Sequence, residues 1–209
     1  MRLKDKTAIV TGAGSGFGAG IARRFAAEGA RVIVADINGD AARAVAEEIG
    51  GLGVACNVAD RAAVEAMRDQ AGAVDILVNN AGVTHLPMAT EEVSEEDFDR
   101  IVAVNMKAIY LTTQAFVPGF KARKSGVILN IASTAGVSPR PRLSWYNASK
   151  GWVITATKAL AVELAPAGIR VNALNPVAGE TPLLKSFLGE DTPAMRARFL
   201  ATIPLGRFS

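Results

Sequence analysis

The chain has 209 residues, of which 50% are hydrophobic and 21% are charged, and its formal net charge is +3. This composition predicts a globular protein with a large core and excludes a disordered chain. Because the sequence has no basic stripe, no apolar run long enough to cross a bilayer and no apolar signal segment at its start, we expect a cytoplasmic protein that binds neither nucleic acid nor membranes.

Strand-like and helix-like segments alternate along the chain. Short apolar runs predict six strands, at residues 7–10, 31–35, 53–56, 74–78, 126–132 and 169–174. Helical patterns lie between them, at residues 16–28, 41–49, 61–71 with Asp60 as the N-cap, 94 to about 120, and about 145 to 164. The strands are continuously apolar, which is typical of strands that helices cover on both faces. This order predicts an α/β fold, a doubly wound parallel sheet or Rossmann fold, in one domain over residues 1–209.

The regular pattern fades after Pro176 into a segment rich in proline, leucine and charge. We expect residues 177–209 to form loops that shape a substrate pocket.

A glycine-rich turn follows the first predicted strand and opens a helix, which is the context of a dinucleotide-binding fingerprint. Gly12, Gly16 and Gly18 allow the backbone to turn tightly and to approach a pyrophosphate, whose charge favours a helix N-terminus. An ordinary tight turn is the alternative, and the glycines alone do not decide between the two. The sequence lacks Gly-Lys-Ser/Thr, which argues against a phosphate-transferring P-loop.

Asp36 ends the second predicted strand, about where an acidic side chain can bind the adenosine ribose hydroxyls. A carboxylate there would repel a 2′-phosphate, and neither Ser15 nor Ile37 brings a cation that would reverse this preference. Asp36 therefore favours NAD over NADP, although a turn or N-cap aspartate is a common alternative.

Metal chemistry is not expected, because a catalytic zinc site needs about three protein ligands, typically Cys and His. Cys56 and His85 are the only residues of their types, so an intramolecular disulfide is also excluded. We place Cys56 in the packed end of a strand, and His85 either in an exposed loop or at the edge of a pocket. Arg140 and Arg142 lie in a proline-rich stretch that could receive an anionic substrate, but a solvated loop is the preferred interpretation.

Tyr146 and Lys150 lie four residues apart in a predicted helix, so their side chains share one face. A tyrosine that acts as a base near neutral pH needs about 4 kcal/mol of stabilisation of its ionised form, and a neighbouring ammonium can supply much of it. Ser133, just after the fifth predicted strand, would donate a hydrogen bond to a substrate oxygen. A tyrosine and a lysine on one helix face also occur with no catalytic role.

Taken together, these motifs resemble the classical short-chain dehydrogenase/reductase family, in particular its 3-oxoacyl-carrier-protein reductases and sugar or polyol dehydrogenases. The cofactor turn matches residues 11–18 and the signature after the fourth strand matches residues 79–82. The catalytic set of the family matches Asn105, Ser133, Tyr146 and Lys150.

The resemblance implies a role for each catalytic residue. Tyr146 would be the acid/base, and Ser133 would polarise the carbonyl. Lys150 would lower the pKa of the tyrosine and bind the nicotinamide ribose. Asn105 would bend its helix and hold a water that links Lys150 to solvent. The implied cofactor-binding set is Gly12, Ser15, Gly16, Phe17, Gly18, Asp36, Ile37, Asn57, Val58, Asn80, Ala81, Gly82, Tyr146, Lys150, Pro176 and Thr181.

The chain departs from the family pattern at three places. Asn57 stands where an aspartate usually binds the adenine amine, and its amide oxygen can still accept that hydrogen bond. Val177 follows Pro176 where a glycine is usual, while Thr181 keeps the position that contacts the carboxamide. Related enzymes continue through a further helix and a seventh strand, so we expect the sequence to be a fragment of a longer chain.

From this resemblance we expect an NAD-dependent oxidoreductase that transfers hydride between nicotinamide and a secondary alcohol or ketone. A non-catalytic dinucleotide sensor or scaffold is the alternative from another class, and an NADPH-dependent 3-oxoacyl-carrier-protein reductase is the alternative among enzymes. A homodimer or homotetramer is expected, with Phe116 and Trp152 either in the subunit contact or in the core.

Overall fold

A computed structural model describes residues 1–208 as a parallel sheet of six strands with helices on both faces. The strands are β1 (Thr7–Thr11), β2 (Arg31–Asp36), β3 (Leu52–Ala55), β4 (Ile76–Asn79), β5 (Gly126–Ile131) and β6 (Ile169–Leu174). They lie in the order β3-β2-β1-β4-β5-β6, which is the doubly wound order of dinucleotide-binding folds. The predicted fold class is confirmed.

Eight α-helices connect and cover the strands of the described chain. They are α1 (Gly16–Ala27), α2 (Gly39–Ile49), α3 (Arg61–Ala71), α4 (Glu95–Ile101), α5 (Ala108–Arg123), α6 (Ser144–Leu164), α7 (Leu183–Leu188) and α8 (Pro193–Leu200). Asp60 caps α3 as expected, because its side chain accepts a hydrogen bond from the Ala63 amide. Among residues 1–208, no helix combines the length and the apolar character needed to cross a membrane.

The central strand β1 shows why the strands are continuously apolar. Ala8, Ile9 and Val10 are fully buried, although successive side chains point to opposite faces. Ile9 packs in a cluster with residues of α3 and α5, whereas Ala8 and Val10 pack in a second cluster with residues of α1 and α2. Each face of the sheet therefore has its own core, and the strand termini remain free to carry functional groups.

A buried polar network joins β4 to β5 within this apolar core. Asn79 Nδ2 donates to Asn130 Oδ1 over 2.8 Å, and Asn130 Nδ2 donates to Thr157 Oγ1 over 2.9 Å. Thr112 Oγ1 donates to Asn79 Oδ1 over 2.9 Å. Since every one of these amide groups has a partner, the network ties α5 and α6 to the sheet without leaving an unpaired buried group.

Two parts of the chain differ from the sequence-based expectation. The long helix predicted over residues 94 to about 120 is divided by a π-helical segment, Val102–Lys107, between α4 and α5. Residues 177–209 were expected to be loops, but within the described part they contain α7 and α8. These helices are held by an apolar cluster of Leu184, Leu188 and Phe199, a contact between two short helices that the periodicity of either one does not reveal.

Candidate active site

A cleft of about 630 Å³ opens at the carboxyl ends of the strands, where β1 and β4 lead the chain in opposite directions. In open parallel sheets this switch point is where ligands bind. The residues predicted from the sequence line this cleft, with the exception of Gly18 and Asn105. Those that line it are Gly12, Ser15, Gly16, Phe17, Asp36, Ile37, Asn57, Val58, Asn80, Ala81, Gly82, Ser133, Tyr146, Lys150, Pro176 and Thr181.

The glycine turn forms one wall of the cleft. Gly12 has φ +61°, and a Cβ atom there would lie 2.8 Å from Ala81 Cα, so this position has neither the conformation nor the space for a side chain. A Cβ atom at Gly18 would overlap the carbonyl oxygen of Gly12 and lie 2.5 Å from Asn80 Nδ2. Gly18 therefore shapes the turn without lining the cleft itself.

Asn80 holds the turn against β4. Its Nδ2 donates to the carbonyl oxygens of Thr11 and Gly12 over 2.9 and 3.0 Å. In return, Thr11 Oγ1 accepts the Asn80 amide over 3.0 Å. The backbone amides at the start of α1 are not capped by the Ser15 side chain, which lines the cleft. A rigid glycine turn beside an uncapped helix N-terminus fits the pyrophosphate of a dinucleotide.

The carboxylate of Asp36 lies at the end of β2, on the side of the cleft predicted for adenosine. Its Oδ2 accepts the Gly14 amide and its Oδ1 accepts the Asn38 amide, each over 2.9 Å. These bonds orient the carboxylate toward the turn. Ile37 beside it is 75% exposed, which leaves a flat apolar surface at the cleft rim.

The opposite rim of the adenosine side contains Cys56, Asn57 and Val58. Asn57 Oδ1 accepts the Ala59 amide over 3.0 Å, so the amide oxygen expected to contact adenine already has a backbone partner. Cys56 is 3% exposed at the end of a strand, as expected, and it also lines the cleft. Burial raises the pKa of its thiol to about 11, which makes it a poor nucleophile.

Tyr146 and Lys150 share one face of α6, and both side chains reach the cleft while remaining 4% and 5% exposed. Lys150 Nζ lies 5.8 Å from the centroid of the Tyr146 ring and donates to the Ile131 carbonyl oxygen over 2.9 Å. Burial lowers the pKa of Lys150 to about 8. A lysine with a lowered pKa can exchange its proton near neutral pH.

Burial as well as neighbouring groups sets the pKa of Tyr146. In this structure burial raises the pKa of the phenol, while hydrogen bonding by Ser133 and the charge of Arg140 act in the opposite direction. The reason is desolvation: the phenol is deeply buried, and an ionised group loses more hydration there than its neighbours replace.

Ser133 follows β5 and adopts an extended conformation at the start of a short 3₁₀ turn, Thr134–Gly136. Its Oγ accepts the Ala135 amide over 3.1 Å and lies 3.5 Å from the Pro176 carbonyl oxygen. The Pro176 carbonyl also accepts the Thr134 amide over 3.1 Å. The ends of β5 and β6 thereby hold the hydroxyl at the cleft.

Asn105 lies within the π-helical segment and is 1% exposed. Its Oδ1 accepts the Val83 amide over 2.9 Å, and its Nδ2 donates to the Val83 carbonyl and to Ser149 Oγ over 3.0 and 2.9 Å. A Cβ atom at Gly82 would lie 3.3 Å from Lys150 Nζ and 3.5 Å from Asn105 Oδ1. The asparagine thus clamps the chain after β4 immediately behind Lys150.

The segment after β6 forms the roof of the cleft. A Cβ atom at Gly16 would lie 3.1 Å from Thr181 Cβ, and Gly179 leaves no space for a side chain against the Phe17 ring. On α7, the Phe187 ring packs edge-on against Tyr146, with centroids 5.1 Å apart. Phe187 lines the cleft and was missed from the sequence, because only the long-range packing of α7 brings it there.

His85 was expected in an exposed loop or at a pocket edge, and the structure contradicts an exposed position. It is 1% exposed, and its Nδ1 lies 2.7 Å from the Leu86 carbonyl oxygen. Two residues earlier, both the amide and the carbonyl of Val83 are bound by Asn105. Within residues 1–208, no three His, Cys, Asp or Glu side chains gather as metal ligands.

Comparisons with known proteins agree with this geometry. The sequence profile of the short chain dehydrogenase family matches residues 6–191. The chain is 49% identical to 4-formylbenzenesulfonate dehydrogenase of Comamonas testosteroni, covering all of this chain and 87% of that protein. It is 39% identical to D-threitol dehydrogenase of Mycolicibacterium smegmatis, covering all of this chain and 82% of that protein.

Among solved structures, the chain resembles the 3-ketoacyl-(acyl-carrier-protein) reductase of Brucella melitensis, crystallised in complex with NADH. The two are 51% identical, with a TM-score of 0.93, over 99% of this chain and 86% of the other.

Proposed function

The chain belongs to the short-chain dehydrogenase family of oxidoreductases, and from this membership we propose that it is an NAD-dependent enzyme interconverting a secondary alcohol and a ketone. The observation that carries the proposal is the position of Tyr146 at the floor of the dinucleotide cleft, beside Lys150 and Ser133. A sensor of dinucleotides would need the cleft but not this arrangement of proton-exchanging groups.

The residues of the cleft divide the binding of the dinucleotide between them. We assign the pyrophosphate to the glycine turn and the N-terminus of α1, and the adenosine ribose to Asp36. We assign the adenine ring to Asn57 and Val58 and the nicotinamide ribose to Lys150, all of which line the cleft. When bound, the nicotinamide supplies the acceptor or donor of the hydride.

Tyr146 exchanges the proton of the substrate oxygen in this proposal. In the oxidising direction the ionised phenol takes the hydroxyl proton; in the reducing direction the phenol donates it to the carbonyl oxygen. Ser133 donates a hydrogen bond to the same oxygen, and the Lys150 ammonium stabilises the ionised phenol. Asn105 holds the loop behind Lys150 and, we propose, a water that connects the ammonium to solvent.

Asp36 supports the preference for NAD over NADP. Its carboxylate is held by two backbone amides, so it cannot easily turn away from a 2′-phosphate placed at the end of β2. An NADPH-dependent 3-oxoacyl-carrier-protein reductase is therefore the weaker candidate. Because the chain is similar to the Brucella melitensis reductase, 3-oxoacyl-carrier-protein substrates are kept among the ketones to be assayed. That reductase was crystallised with NADH, which agrees with a preference of this chain for NAD.

The proposal is tested with the two tyrosines of the chain. Tyr146→Phe should bind NADH with unchanged affinity in a fluorescence titration, while turnover of secondary alcohols and ketones falls to near zero. Tyr110→Phe is the matched control, because Tyr110 is 49% exposed on α5 and should retain full activity. Wild-type kcat in Tyr146→Phe would remove Tyr146 from the mechanism. NADH binding by the parent protein without turnover of any alcohol or ketone would favour the sensor.

The exposed aromatic side chains of α5 and α6 support self-association, and we propose a homodimer or homotetramer through these helices. Trp152 is 37% exposed and Tyr110 is 49% exposed, whereas Phe116 is 4% exposed and belongs to the core. Trp152→Glu should lower the mass measured by light scattering, whereas a mass equal to that of the parent would contradict this contact.

A further inference from the structure

Ser149 is a buried residue in the turn of α6 that carries Tyr146 and Lys150. It is 2% exposed and is not among the residues that line the cleft. Its Oγ accepts a hydrogen bond from Asn105 Nδ2 over 2.9 Å and donates one to the Tyr146 carbonyl oxygen over 2.7 Å. Within residues 1–208, no other hydrogen bond between side chains joins α6 to the π-helical segment Val102–Lys107.

The partners of Ser149 determine the direction of each of these hydrogen bonds. A backbone N–H can only donate, so the Val83 amide identifies the Asn105 atom that it contacts as the carboxamide oxygen. The other atom is therefore the amide nitrogen, which donates to Ser149 Oγ. The single hydroxyl hydrogen of Ser149 is then directed to the Tyr146 carbonyl oxygen. A chain of hydrogen bonds thus runs from the loop after β4, through Asn105 and Ser149, to the backbone of the tyrosine.

This chain of hydrogen bonds ends beside the groups assigned to proton exchange. Lys150 follows Ser149 directly in α6. A Cβ atom at Gly82 would lie 3.3 Å from Lys150 Nζ and 3.5 Å from Asn105 Oδ1, so the lysine and the asparagine approach the same backbone position from two elements. A shift of the π-helical segment relative to α6 would change this arrangement, and small displacements of catalytic groups lower reaction rates strongly.

Thr157 has the same bonding pattern two turns further along α6. Its Oγ1 accepts a hydrogen bond from Asn130 Nδ2 over 2.9 Å and donates one to the Val153 carbonyl oxygen over 2.7 Å. Thr157 is 5% exposed, and neither it nor Asn130 lines the cleft. The loss of one buried hydroxyl can therefore be compared at two positions of the same helix, of which only Ser149 adjoins the catalytic residues.

We propose that Ser149 is a positioning residue that acts through Asn105 to hold the turn of α6 bearing Tyr146 and Lys150 against the loop after β4. The inference rests on the proposed function, since it concerns the groups assigned to proton exchange and to the nicotinamide ribose. Ser149 itself touches neither the substrate nor the cofactor. The turn stays helical without the hydroxyl, because the Tyr146 carbonyl oxygen also accepts the α-helical hydrogen bond of the Lys150 amide.

The test compares Ser149→Ala with Thr157→Val as the matched control. Each variant removes one buried hydroxyl that accepts from an asparagine amide and donates to a carbonyl oxygen one turn earlier. The values of kcat and KM are measured with NADH and the ketones acetoin, ethyl acetoacetate and acetophenone. Fluorescence titration gives the affinity for NADH, and thermal unfolding gives the stability. Asn105→Ala, alone and combined with Ser149→Ala, shows whether the serine acts through the asparagine.

We expect Ser149→Ala to lower kcat at least about tenfold and to weaken NADH binding at least about threefold, because Lys150 is assigned to both steps. Thr157→Val should lose a similar thermal stability while its kcat and NADH affinity stay within about twofold of the parent. In the Asn105→Ala background, Ser149→Ala should lower kcat by less than about twofold.

Three results would overturn the inference. The first is a kcat and an NADH affinity of Ser149→Ala equal to those of the parent. The second is an equal loss of kcat in Ser149→Ala and Thr157→Val, and the third is a full, independent loss when Ser149→Ala is added to Asn105→Ala. Ser149→Cys covers the case in which Ser149→Ala does not fold, because a thiol nearly conserves the volume but is a weak hydrogen-bond donor. It should lower kcat in the same direction, and an unchanged kcat would also overturn the inference.

The same measurements separate this inference from the proposed function. A parent protein that binds NADH but reduces none of the ketones would remove the oxidoreductase. Weaker NADH binding by Ser149→Ala and not by Thr157→Val would then still support the role of Ser149. Turnover by the parent and by Ser149→Ala at equal kcat would preserve the oxidoreductase and remove the role of Ser149. Absence of NADH binding by the parent would remove both.

Discussion

Replacing Lys150 by methionine removes a buried ammonium beside Tyr146 while nearly conserving the volume of the side chain. The ammonium lies 5.8 Å from the centroid of the Tyr146 ring in a buried site. At an effective dielectric constant of about 20, a unit charge at about 6 Å stabilises the phenolate by about 3 kcal/mol. Loss of this stabilisation should lower kcat for alcohol oxidation at pH 7 by about a hundredfold and move the inflection of the pH–rate profile to higher pH.

The sign of the pH effect follows from the charges. Oxidation needs the ionised phenol, burial already raises the pKa of Tyr146, and removal of a neighbouring cation raises it further. The assay is the pH dependence of kcat at saturating NAD, so that weaker ribose binding affects KM alone. Lys158→Met is the matched control, since Lys158 is exposed on the same helix. An inflection that stays at the pH of the parent would refute the electrostatic role of Lys150.

Three further predictions follow from the cleft and the core. Gly18→Ala should weaken NADH binding by at least about tenfold, because its Cβ would overlap the Gly12 carbonyl; Gly20→Ala, which has open space, should bind normally in the same fluorescence titration. Asp36→Ala should reduce the ratio of kcat/KM for NAD over NADP, and equal use of both cofactors by the parent would contradict the assigned role. Asn79→Ala breaks two buried hydrogen bonds. It should lower the free energy of unfolding measured in urea titrations by about 2–4 kcal/mol, with kcat of the folded fraction unchanged. A loss below about 1 kcal/mol would mean that the network adds little to stability.

The sheet could be predicted from the sequence because its signals are local. Each strand is a short, continuous apolar run, and the side chains of β1 are buried on both faces. The family resemblance implied a bend at Asn105, but helical periodicity alone does not predict the π-helical segment, which contains Asn105 and its hydrogen bonds with Val83 and with Ser149 of α6. These partners are far apart in the chain, and the spacing of apolar residues along a helix carries no information about them.

The same division applies to the site. The spacing of Tyr146 and Lys150 is a property of one helix, and the glycine turn is a property of one strand–helix junction. Phe187 reaches the cleft because its ring packs against Tyr146, which lies far earlier in the chain. The buried position of His85 likewise cannot be deduced from the sequence of its loop.

The sequence by itself determined which groups can do chemistry: a glycine-rich turn after a strand, a carboxylate at a strand end, and a tyrosine one helical turn from a lysine. These depend on the periods of helices and strands, which act over a few residues. Only the tertiary structure decided the environment of those groups. Desolvation and charge depend on every atom within several ångströms, so the raised pKa of Tyr146 and the lowered pKa of Lys150 arise from the folded protein.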